Sequence, residues 1–210
     1  RSAPELHIVY QDELVIAVNR SGYDEPEHLL ARVRELPHAQ TAEPLFRLDR
    51  DASGLTLFAR TKDALPDLRA ALASGQTFVA LARGITHKKG RIRRPLGAKR
   101  RAEPVCTSYQ RQSVHGGHSL LELDPGAASA EQIRRHLAAI GHPILGDARA
   151  CDAASNAFFE HRHGLDRSFL HCATLRLAFA AGAIELSAAL PGELASVLSS
   201  SAKQTAPLGE

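Results

Sequence analysis

Apolar residues along this chain occur in short runs separated by polar turns, and their spacing predicts a mixture of strands and helices. Runs of four to eight apolar or alternating residues are typical of strands. Two pairs of such runs are joined by short polar turns and predict hairpins, one of them around His115-Gly-Gly-His118. The predicted strands are residues 6–10, 14–18, 55–59, 77–82, 105–114, 119–123, 169–179 and 183–187.

Apolar residues three or four positions apart predict helices in other segments. Thr61 is suited to cap one helix at its start, and Gly75 to end it. Ser129 and Gln132 have the spacing of a capping box, and the helix that follows is expected to end at Gly141. The predicted helices are residues 28–36, 61–74, 130–140 and 193–198.

The order of these elements bears on the fold class. Strands and helices mix without strict strand–helix–strand alternation, which predicts an α+β fold with a largely antiparallel sheet. At 210 residues, the chain is of a size that forms one sizeable core. Because no internal repeat or clear linker is visible, we expect one domain over residues 1–198 and a flexible C-terminal tail over residues 199–210.

Composition excludes several classes of protein. Apolar residues make up 44% and charged residues 23% of the chain, as in ordinary globular proteins rather than disordered ones. The longest stretch without a charged residue, residues 70–82, is too short for a membrane-spanning helix. No secretory leader is visible, and the cysteines form no C-x-x-C pair or disulfide framework, which favours a reducing compartment. We therefore expect a cytoplasmic protein without membrane contact.

Positive charge is concentrated in one region of the chain. Ten Lys and Arg residues and no acidic residue lie between Leu68 and Ala102, although the net charge of the whole chain is only +3. Such a block is typical of a surface that binds a polyanion through phosphate contacts and counterion release. A solvated basic loop is the simpler alternative. The number of charges in the block favours nucleic acid.

The segment Phe46–Gly54, which reads Phe-Arg-Leu-Asp-Arg-Asp-Ala-Ser-Gly, combines charge with a predicted turn. One interpretation is a surface turn whose ion pairs each contribute about 0–1 kcal/mol. Leu48 and Gly54 suggest instead a turn that is pressed against the sheet. An arginine beside a carboxylate in such a place would lower the pKa of that carboxylate by about 1–3 units. The carboxylate would then stay ionised and could act as a nucleophile.

Other side chains permit different chemistry. Paired carboxylates can hydrolyse glycosides, but Asp49 and Asp51 are two positions apart in a turn, and a solvated Asp51 paired with Arg50 is the favoured interpretation. Cys172, on a predicted apolar strand, is expected in the core. Two histidine pairs invite a metal site, but neither comes with cysteine or carboxylate ligands at a known spacing. These pairs are His115 with His118 and His161 with His163.

Four segments, taken in order, resemble the signatures of the RluA-like pseudouridine synthases. Arg-Leu-Asp-Arg-Asp-Ala-Ser-Gly, ending at Gly54, resembles the first signature, commonly His-Arg-Leu-Asp-x-x-Thr-Ser-Gly. Residues 78–84 resemble the second, Tyr-x-Ala-x-Val-x-Gly, and residues 132–147 match the third almost residue for residue. Residues 169–177 resemble the closing strand, Leu-His-Ala-x-x-Leu. Order and spacing agree over nearly the whole chain, about residues 6–190.

The resemblance implies an enzyme that isomerises uridine to pseudouridine in structured RNA, either ribosomal or transfer RNA. It also implies a single catalytic domain with a mostly antiparallel bent sheet, flanking helices and loops, and a central cleft. The base would be flipped out of the stack into a pocket. In that pocket Asp49 would act as the nucleophile, Arg134 would pair with it and Phe78 would stack on the uracil. RNA is the expected partner, no metal or other cofactor is implied, and we expect a monomer.

Basic residues close to the first signature and within the basic block are expected to hold RNA phosphates. Each phosphate contact releases counterions, so neutralising several of these side chains should flatten the salt dependence of RNA binding. The expected RNA-binding residues are Arg47, Arg50, Lys88, Lys89, Arg91, Arg93, Arg94, Lys99, Arg100 and Arg101.

The chain departs from the family's pattern at four places. Phe46 stands where the family commonly has His, Phe78 where it has Tyr, and Gln76 where it often has Lys. Residues 127–132, normally Thr-Gly-Arg-Thr-His-Gln, read Ala-Ala-Ser-Ala-Glu-Gln. If the phenol that is missing at position 78 assists removal of the uracil C5 proton, catalysis would be slowed or would need another base. A second hypothesis is therefore a catalytically impaired, RNA-binding homologue that remodels or shields its RNA.

Overall fold

A ten-stranded sheet with five α-helices around it makes up the part of the protein that the computed structural model describes. That part comprises residues 6–46, 49–72, 75–95, 105–126 and 129–202. The strands are β1 (Ile8–Gln11), β2 (Val15–Arg20), β3 (Glu43–Pro44), β4 (Ser53–Ala59), β5 (Gln76–Ala82), β6 (Lys89–Arg94), β7 (Val105–His115), β8 (His118–Asp124), β9 (Leu170–Phe179) and β10 (Gly182–Ser187). The helices are α1 (Pro26–Arg34), α2 (Leu65–Leu72), α3 (Ala130–Ala139), α4 (Ala153–His163) and α5 (Gly192–Ala202).

The sheet is antiparallel apart from one pairing. Its strand order is β1-β2-β4-β9-β5-β8-β7-β6, with β3 beside β4 and β10 beside β9. The exception is the parallel pair β4–β9, in which Ser53 lies opposite His171 and Gly54 opposite Cys172. The predicted α+β class with a largely antiparallel sheet is therefore confirmed, and so are both predicted hairpins, β1–β2 and β7–β8.

Gly54 allows the chain to pass very close to β9. Its φ angle is +98°, and an added Cβ atom would lie 2.2 Å from the backbone oxygen of Cys172. Only glycine combines this backbone conformation with so close an approach. The turn before β4 is therefore pressed against the sheet, as the sequence predicts, and this contact fixes where the acidic residues of the turn lie.

Two apolar clusters support the sheet. The larger one joins β4, β5, β8 and β9 to α2 and α3, with Phe169, Leu81 and Leu137 completely buried. The smaller one packs α1 against one end of the sheet, through Leu29 and Phe58 among others. Among the described helices, none combines the length and the apolar character needed to cross a bilayer.

Three of the described elements were not predicted from the sequence, namely the two-residue strand β3, strand β6 and helix α4. Strand β6 runs through the basic block and pairs with β7 along its whole length, with Ile92 buried between exposed basic side chains. One apolar residue is too few to produce a recognisable alternation. Helix α4 buries only Phe159, so its apolar periodicity is equally weak. Its ends are nevertheless well defined, because Asp152 caps the Ser155 N–H and Gly164 ends the helix in the left-handed conformation.

Several predicted helix ends were wrong. Thr61 makes no side-chain cap, and the helix is preceded by a 3-10 turn over Lys62–Ala64. Ser129 does not cap α3 with its side chain, and Gln132 turns inward instead of completing a capping box. The Gln132 side-chain amide donates to the carbonyls of residues 106 and 125 and to the Thr107 hydroxyl. Helix α5 continues to Ala202, so residues 199–202 are helical rather than part of a tail.

Candidate active site

A buried arginine, Arg20, fixes the backbone of the turn that carries Asp49. Arg20, the last residue of β2, is 4% exposed. Its Nη2 donates to the backbone carbonyls of Asp49 and Arg50, the latter at 2.7 Å. Since backbone carbonyls accept these bonds, Arg20 fixes the path of the turn and leaves the Asp49 carboxylate available to other groups.

Each oxygen of the Asp49 carboxylate accepts from a different guanidinium. Arg134, on α3, donates from Nη1 to Oδ2. Arg149, in the loop after α3, donates from Nη2 to Oδ1 at 3.2 Å, and the Asp51 backbone N–H donates to the same oxygen at 3.1 Å. The Asp49 and Arg134 side chains are 5% and 6% exposed. The predicted pairing of Asp49 with Arg134 is thus present in the structure.

Arg134 is itself fixed by a second carboxylate. Its Nε and Nη2 donate to the two oxygens of Asp147 at 2.8 and 3.1 Å, and the Asp147 side chain is fully buried. Such two-point pairing defines the orientation of a guanidinium as well as its position. Arg134 can therefore present Nη1 to Asp49 in one geometry only.

These contacts set the charge state of Asp49. Burial alone would raise the pKa of its carboxyl group, but the charge of Arg134, the Asp51 N–H and the Arg134 hydrogen bond more than offset that effect. The pKa of Asp49 consequently lies below its usual value of 3.8. For Arg134, burial would lower the pKa, yet its bonds and its charge contacts with Asp147 and Asp49 raise it overall. Both groups are charged at neutral pH, as the sequence predicts for a carboxylate beside an arginine.

Asp49 lies at the edge of a pocket that is mostly apolar. The pocket has a volume of about 540 Å³, including open solvent at its mouth. Phe78, on β5, is 5% exposed and lines the pocket together with Asp49. A flat ring placed against Phe78 would therefore have an ionised carboxylate nearby. The other lining residues are Arg20, Phe46, Ala52, Ser53, Leu55, Thr56, Leu57, Leu72, Gln76, Ser129, Ala130, Cys172 and Leu175.

A second, more open depression, here called the outer cleft, borders Asp49 as well. Asp49, Arg50, Asp51 and Arg149 line it together with α1 residues and Glu131. Asp49 is thus shared between an apolar pocket and a charged cleft. The pocket suits a flat apolar group, whereas the described residues that line the outer cleft include four carboxylates and two arginines.

The expected RNA-binding residues occupy different parts of the structure. Arg50 borders the outer cleft and forms an ion pair with Glu25 at 3.0 Å. The exposed residues of β6, and Lys88 just before it, form a basic surface at one end of the sheet order. His136 of α3 bonds the backbone oxygen of Arg94, which ties this strand to the helix that carries Arg134. Lys88, Lys89, Arg91, Arg93 and Arg94 belong to the basic surface, whereas Arg47, Lys99, Arg100 and Arg101 lie outside the described residues.

The expected pairing of Asp51 with Arg50 was wrong. Arg50 binds Glu25, and Asp51 accepts from Arg149 at 3.2 Å. The cause is the direction of the turn, which sends the Arg50 side chain toward α1 while Asp51 faces the loop after α3. A turn in which neighbouring side chains point apart cannot be distinguished from the sequence alone.

His118 and His163, one from each histidine pair, make hydrogen bonds within the protein. His118 accepts from the Gly84 N–H at 3.0 Å, and His163 bonds the Ser200 hydroxyl at 2.7 Å. In the part of the chain that the structure describes, no group of three or more His, Cys, Asp or Glu side chains could hold a metal ion. Cys172 is buried as predicted, and burial raises the pKa of its thiol.

Three residues of the site were missed by the sequence analysis. Asp147 ends the third signature, and its full burial beside Arg134 could not be inferred without the fold. Arg149 follows two positions later in a loop, where a charged residue is ordinary. Arg20 ends a strand, and nothing in the sequence distinguishes a buried arginine there from an exposed one.

Comparison with known proteins places the chain in a family. Residues 16–139 match the family model described as RNA pseudouridylate synthase. The fold and the site thus define this class of enzyme, and the chain belongs to the RNA pseudouridylate synthase family, whose members are isomerases. Asp49, Phe78 and Arg134 lie within the matched region, whereas Asp147 and Arg149 lie beyond it.

Individual relatives agree with this assignment. The tRNA pseudouridine synthase C of Vibrio cholerae is 28% identical over 207 residues, covering 81% of this chain and 84% of that protein. The ribosomal large subunit pseudouridine synthase D of Yersinia pestis is 28% identical, covering 94% and 72%. An uncharacterized RNA pseudouridine synthase of Chloroflexus aurantiacus is 34% identical, covering 81% and 57%.

Solved structures support the fold. Human RNA pseudouridylate synthase domain containing 4 superposes with a TM-score of 0.72 at 20% identity, covering 92% of each chain. Human RNA pseudouridylate synthase domain containing 1 gives a TM-score of 0.71 at 22% identity, covering 89% of this chain and 84% of that one. The expected pseudouridine-synthase fold is therefore confirmed.

Proposed function

We propose that this enzyme converts uridine to pseudouridine in structured RNA, either tRNA or rRNA, with Asp49 as the nucleophile. The observation that carries the proposal is the position of the Asp49 carboxylate, held ionised by Arg134 at the edge of the pocket that Phe78 lines. A flipped nucleoside requires a stacking surface for its base and an attacking group for its sugar. An apolar wall beside an anionic nucleophile provides both.

The reaction proceeds by breaking and remaking one bond to the sugar. Asp49 attacks C1′ of the ribose, and the electrons of the N1–C1′ bond leave with the uracil. The uracil turns over Phe78 and C5 attacks C1′, which releases the Asp49 carboxylate. The C5 proton is then lost and N1 gains one, so atoms and charge balance within a single nucleotide. No oxidant, reductant or second substrate enters, and we therefore propose that the enzyme acts without a cofactor.

Removal of the C5 proton requires a base, which Phe78 cannot supply. Among the described residues that line the pocket, those with titratable side chains are Arg20, Asp49 and Cys172. Arg20 is a cation, and burial keeps the Cys172 thiol protonated. The released Asp49 carboxylate is the remaining acceptor. We propose that it serves first as the nucleophile and then as the proton acceptor, so Phe78 contributes stacking alone.

The nature of the RNA is inferred from charge and from the relatives. The basic surface on β6 and the preceding Lys88 can hold phosphates. Arg134 acts through Asp49 and not on the RNA, since its donors face Asp49 and Asp147. Two relatives named tRNA pseudouridine synthase C, from Vibrio cholerae and Vibrio vulnificus, are matched over 84% of their length, so tRNA is the first substrate to test. We propose a monomer that acts in the cytoplasm.

Nucleoside analysis tests the proposed function. Transcripts of tRNA and of large-subunit rRNA, made with ordinary uridine, are incubated with the enzyme, digested to nucleosides and separated by chromatography. We expect pseudouridine at the expense of uridine in one class of RNA, and none with Asp49→Asn. RNA binding without pseudouridine in any transcript would contradict the proposal and favour the second hypothesis, an RNA-binding homologue that remodels or shields RNA.

A further inference from the structure

Arg149 differs from the other cation that holds Asp49. Arg134 is 6% exposed and is fixed by the three hydrogen bonds that it donates, two to Asp147 and one to Asp49. Arg149 is 57% exposed, and its Nη2 alone contacts both Asp49 and Asp51, each at 3.2 Å. Its Nε lies 3.8 Å from the nearest oxygen of Asp147. The Arg134 guanidinium is thus fixed in the protein interior, whereas the Arg149 guanidinium contacts Asp49 from the solvent-exposed side.

The base of the Arg149 side chain is nevertheless anchored. Its backbone N–H donates to Asp147 Oδ1 at 3.0 Å, so the residue is tied to the carboxylate that also orients Arg134. The guanidinium can therefore leave Asp49 by side-chain rotation alone, without movement of the loop. Since the Arg149 side chain is more than half exposed, water can replace its hydrogen bonds as it rotates, and Arg134 remains bonded to Asp49.

The charges that line the outer cleft determine how the Arg149 guanidinium would meet a phosphate there. Glu27, Asp49, Asp51 and Glu131 contribute carboxylates to its lining, and the basic residues among the described lining are Arg50 and Arg149. Arg50 is already paired with Glu25. A phosphate that approaches Asp49 from this cleft would meet mostly negative charge unless Arg149 turned toward it.

We propose that Arg149 is a displaceable counter-ion of Asp49, which holds the carboxylate when no RNA is bound and moves to a phosphate of the bound strand. The proposal rests on the proposed function of Asp49. Departure of Arg149 leaves Oδ1 with the Asp51 N–H, while Oδ2 remains bonded to Arg134. Binding of the strand thereby removes the cation from Oδ1, which keeps only the Asp51 N–H and can attack the sugar. Arg149 is then a positioning residue that couples RNA binding to exposure of the nucleophile.

The effect of a substitution at Arg149 on the pKa of Asp49 depends on all the charged groups that face Asp49. They come from β2, α3, the turn itself and the loop after α3, namely Arg20, Arg134, Asp51, Asp147 and Arg149. Arg149→Gln removes one of the cations that lower the pKa of Asp49 and leaves the others in place. The pKa of Asp49 should therefore rise in this variant, although Arg134 should still keep the carboxylate ionised at neutral pH.

Two measurements on the free protein and on its RNA complex test the proposal. Carbon-13 NMR follows titration of the Asp49 carboxyl, assigned with Asp49→Asn, in the wild type, Arg149→Gln, Arg149→Lys and a control. The control is Arg176→Gln, which removes a guanidinium that is also 57% exposed and paired with one carboxylate, Glu185. Binding to a tRNA transcript made with ordinary uridine is measured for the same proteins at several salt concentrations.

We expect Arg149→Gln to raise the pKa of Asp49, to weaken RNA binding roughly 10-fold and to reduce the salt slope by about 0.7–0.9. Arg149→Lys keeps the charge, so its Asp49 titration and its RNA binding should both remain near those of the wild type. If Arg149→Gln matches Arg176→Gln in either the Asp49 titration or RNA binding, the proposal is wrong. Neither readout needs turnover, so an enzyme that forms no pseudouridine would refute the proposed function without deciding the role of Arg149.

Discussion

The carboxylate that we propose as the nucleophile and the basic strand β6 hold their charges in opposite ways. Asp49, Arg134 and Asp147 are almost completely buried, and Arg134 donates hydrogen bonds to both carboxylates. On β6, by contrast, Lys89, Arg91 and Arg93 are exposed, and only Ile92 between them is buried. In the buried network, a few charged groups are held in one fixed geometry. On β6, many charged side chains are exposed and their geometry is not fixed.

The difference follows from the free energy of burying a charge. A buried ion is stable only when it is paired and hydrogen-bonded, so each member of a buried network depends on the others. Exposed cations are screened by water and salt and act on a polyanion almost independently. Substitutions in the two regions should therefore differ in kind: loss of one buried charge affects folding and catalysis together, whereas loss of exposed charges affects RNA affinity alone.

The largest effect is expected for Arg134→Gln. This substitution leaves Asp147 and Asp49 without their shared cation, and removing one partner of a buried pair costs about 3–5 kcal/mol. Urea unfolding should show that loss, and pseudouridine formation should fall by roughly 1000-fold. Arg134→Lys should recover part of the stability, because it restores the charge but not the two-point contact with Asp147.

Arg176→Gln is the control for this experiment, since it breaks an exposed pair with Glu185. Its effect on the free energy of unfolding should stay below about 1 kcal/mol. Equal losses of stability in Arg134→Gln and Arg176→Gln would show that burial of the network does not increase its contribution to the free energy of unfolding. The proposed difference between the buried and the exposed region would then be wrong.

A smaller effect, confined to RNA binding, is expected on β6. Replacing Lys89, Arg91 and Arg93 together by Gln removes three exposed charges from one face of the strand. We expect the slope of log affinity against log salt to fall by about 2–3, with an unfolding midpoint near that of the wild type. Filter binding or fluorescence anisotropy at several salt concentrations measures the slope.

The matched comparison removes three charges elsewhere. Lys62, Arg162 and Arg176 are also exposed, so replacing them by Gln changes the net charge equally. If both triple variants lower the slope alike, β6 is not the RNA-binding surface and only the overall charge of the protein matters.

The smallest effect is expected from pH. The pKa of Asp49 is lower in the folded protein than its usual value, so its ionised form favours folding. This contribution is fully present above the pKa of the unfolded chain, about 3.9, and is lost as the pH falls through the folded-state pKa. The free energy of unfolding should therefore decline below about pH 4, by at most about 1.4 kcal/mol per pH unit from this one group.

Urea titrations at pH 7, 5 and 3.5 measure this dependence, and Asp49→Asn should reduce it. Asp12 and Asp152 also have lowered pKa values, so some decline will remain in that variant. An unchanged dependence in Asp49→Asn would mean that Asp49 is no better stabilised as an anion in the folded state than in the unfolded chain.

The sequence predicts the parts of this molecule that depend on local pattern. The two hairpins, the turn pressed against the sheet before β4 and the pairing of Asp49 with Arg134 follow from alternation, turn chemistry or the resemblance of motifs. By contrast, β6 offers one apolar residue to detect, and α4 has a single buried side chain. Weakly patterned elements of this kind are stabilised by their neighbours, which a single sequence does not reveal.

The unpredicted residues of the site have a common cause. Arg20, Asp147 and Arg149 reach the Asp49 turn from β2 and from the loop after α3, so only tertiary structure brings them together. The capping box failed for a related reason, because the Gln132 side chain finds three acceptors in and near the β7–β8 hairpin that compete with the local cap. Long-range contacts override local preferences where polar groups are buried.

The central claim, that the Asp49 carboxylate carries out the isomerisation, is tested most directly by tritium release. RNA labelled with tritium at uridine C5 is incubated with the wild type, Asp49→Asn and Asp51→Asn, and binding of each protein to the same RNA is measured in parallel. Asp51 is the matched carboxylate, two residues away and bonded to the same Arg149, but outside the pocket lining.

We expect tritium release by the wild type and, within roughly tenfold, by Asp51→Asn. For Asp49→Asn we expect a loss of roughly 1000-fold or more, although this variant should still bind the RNA because its shape is preserved. Release by Asp49→Asn at the rate of the wild type would contradict the account, since the reaction would then proceed without the carboxylate around which the site is built.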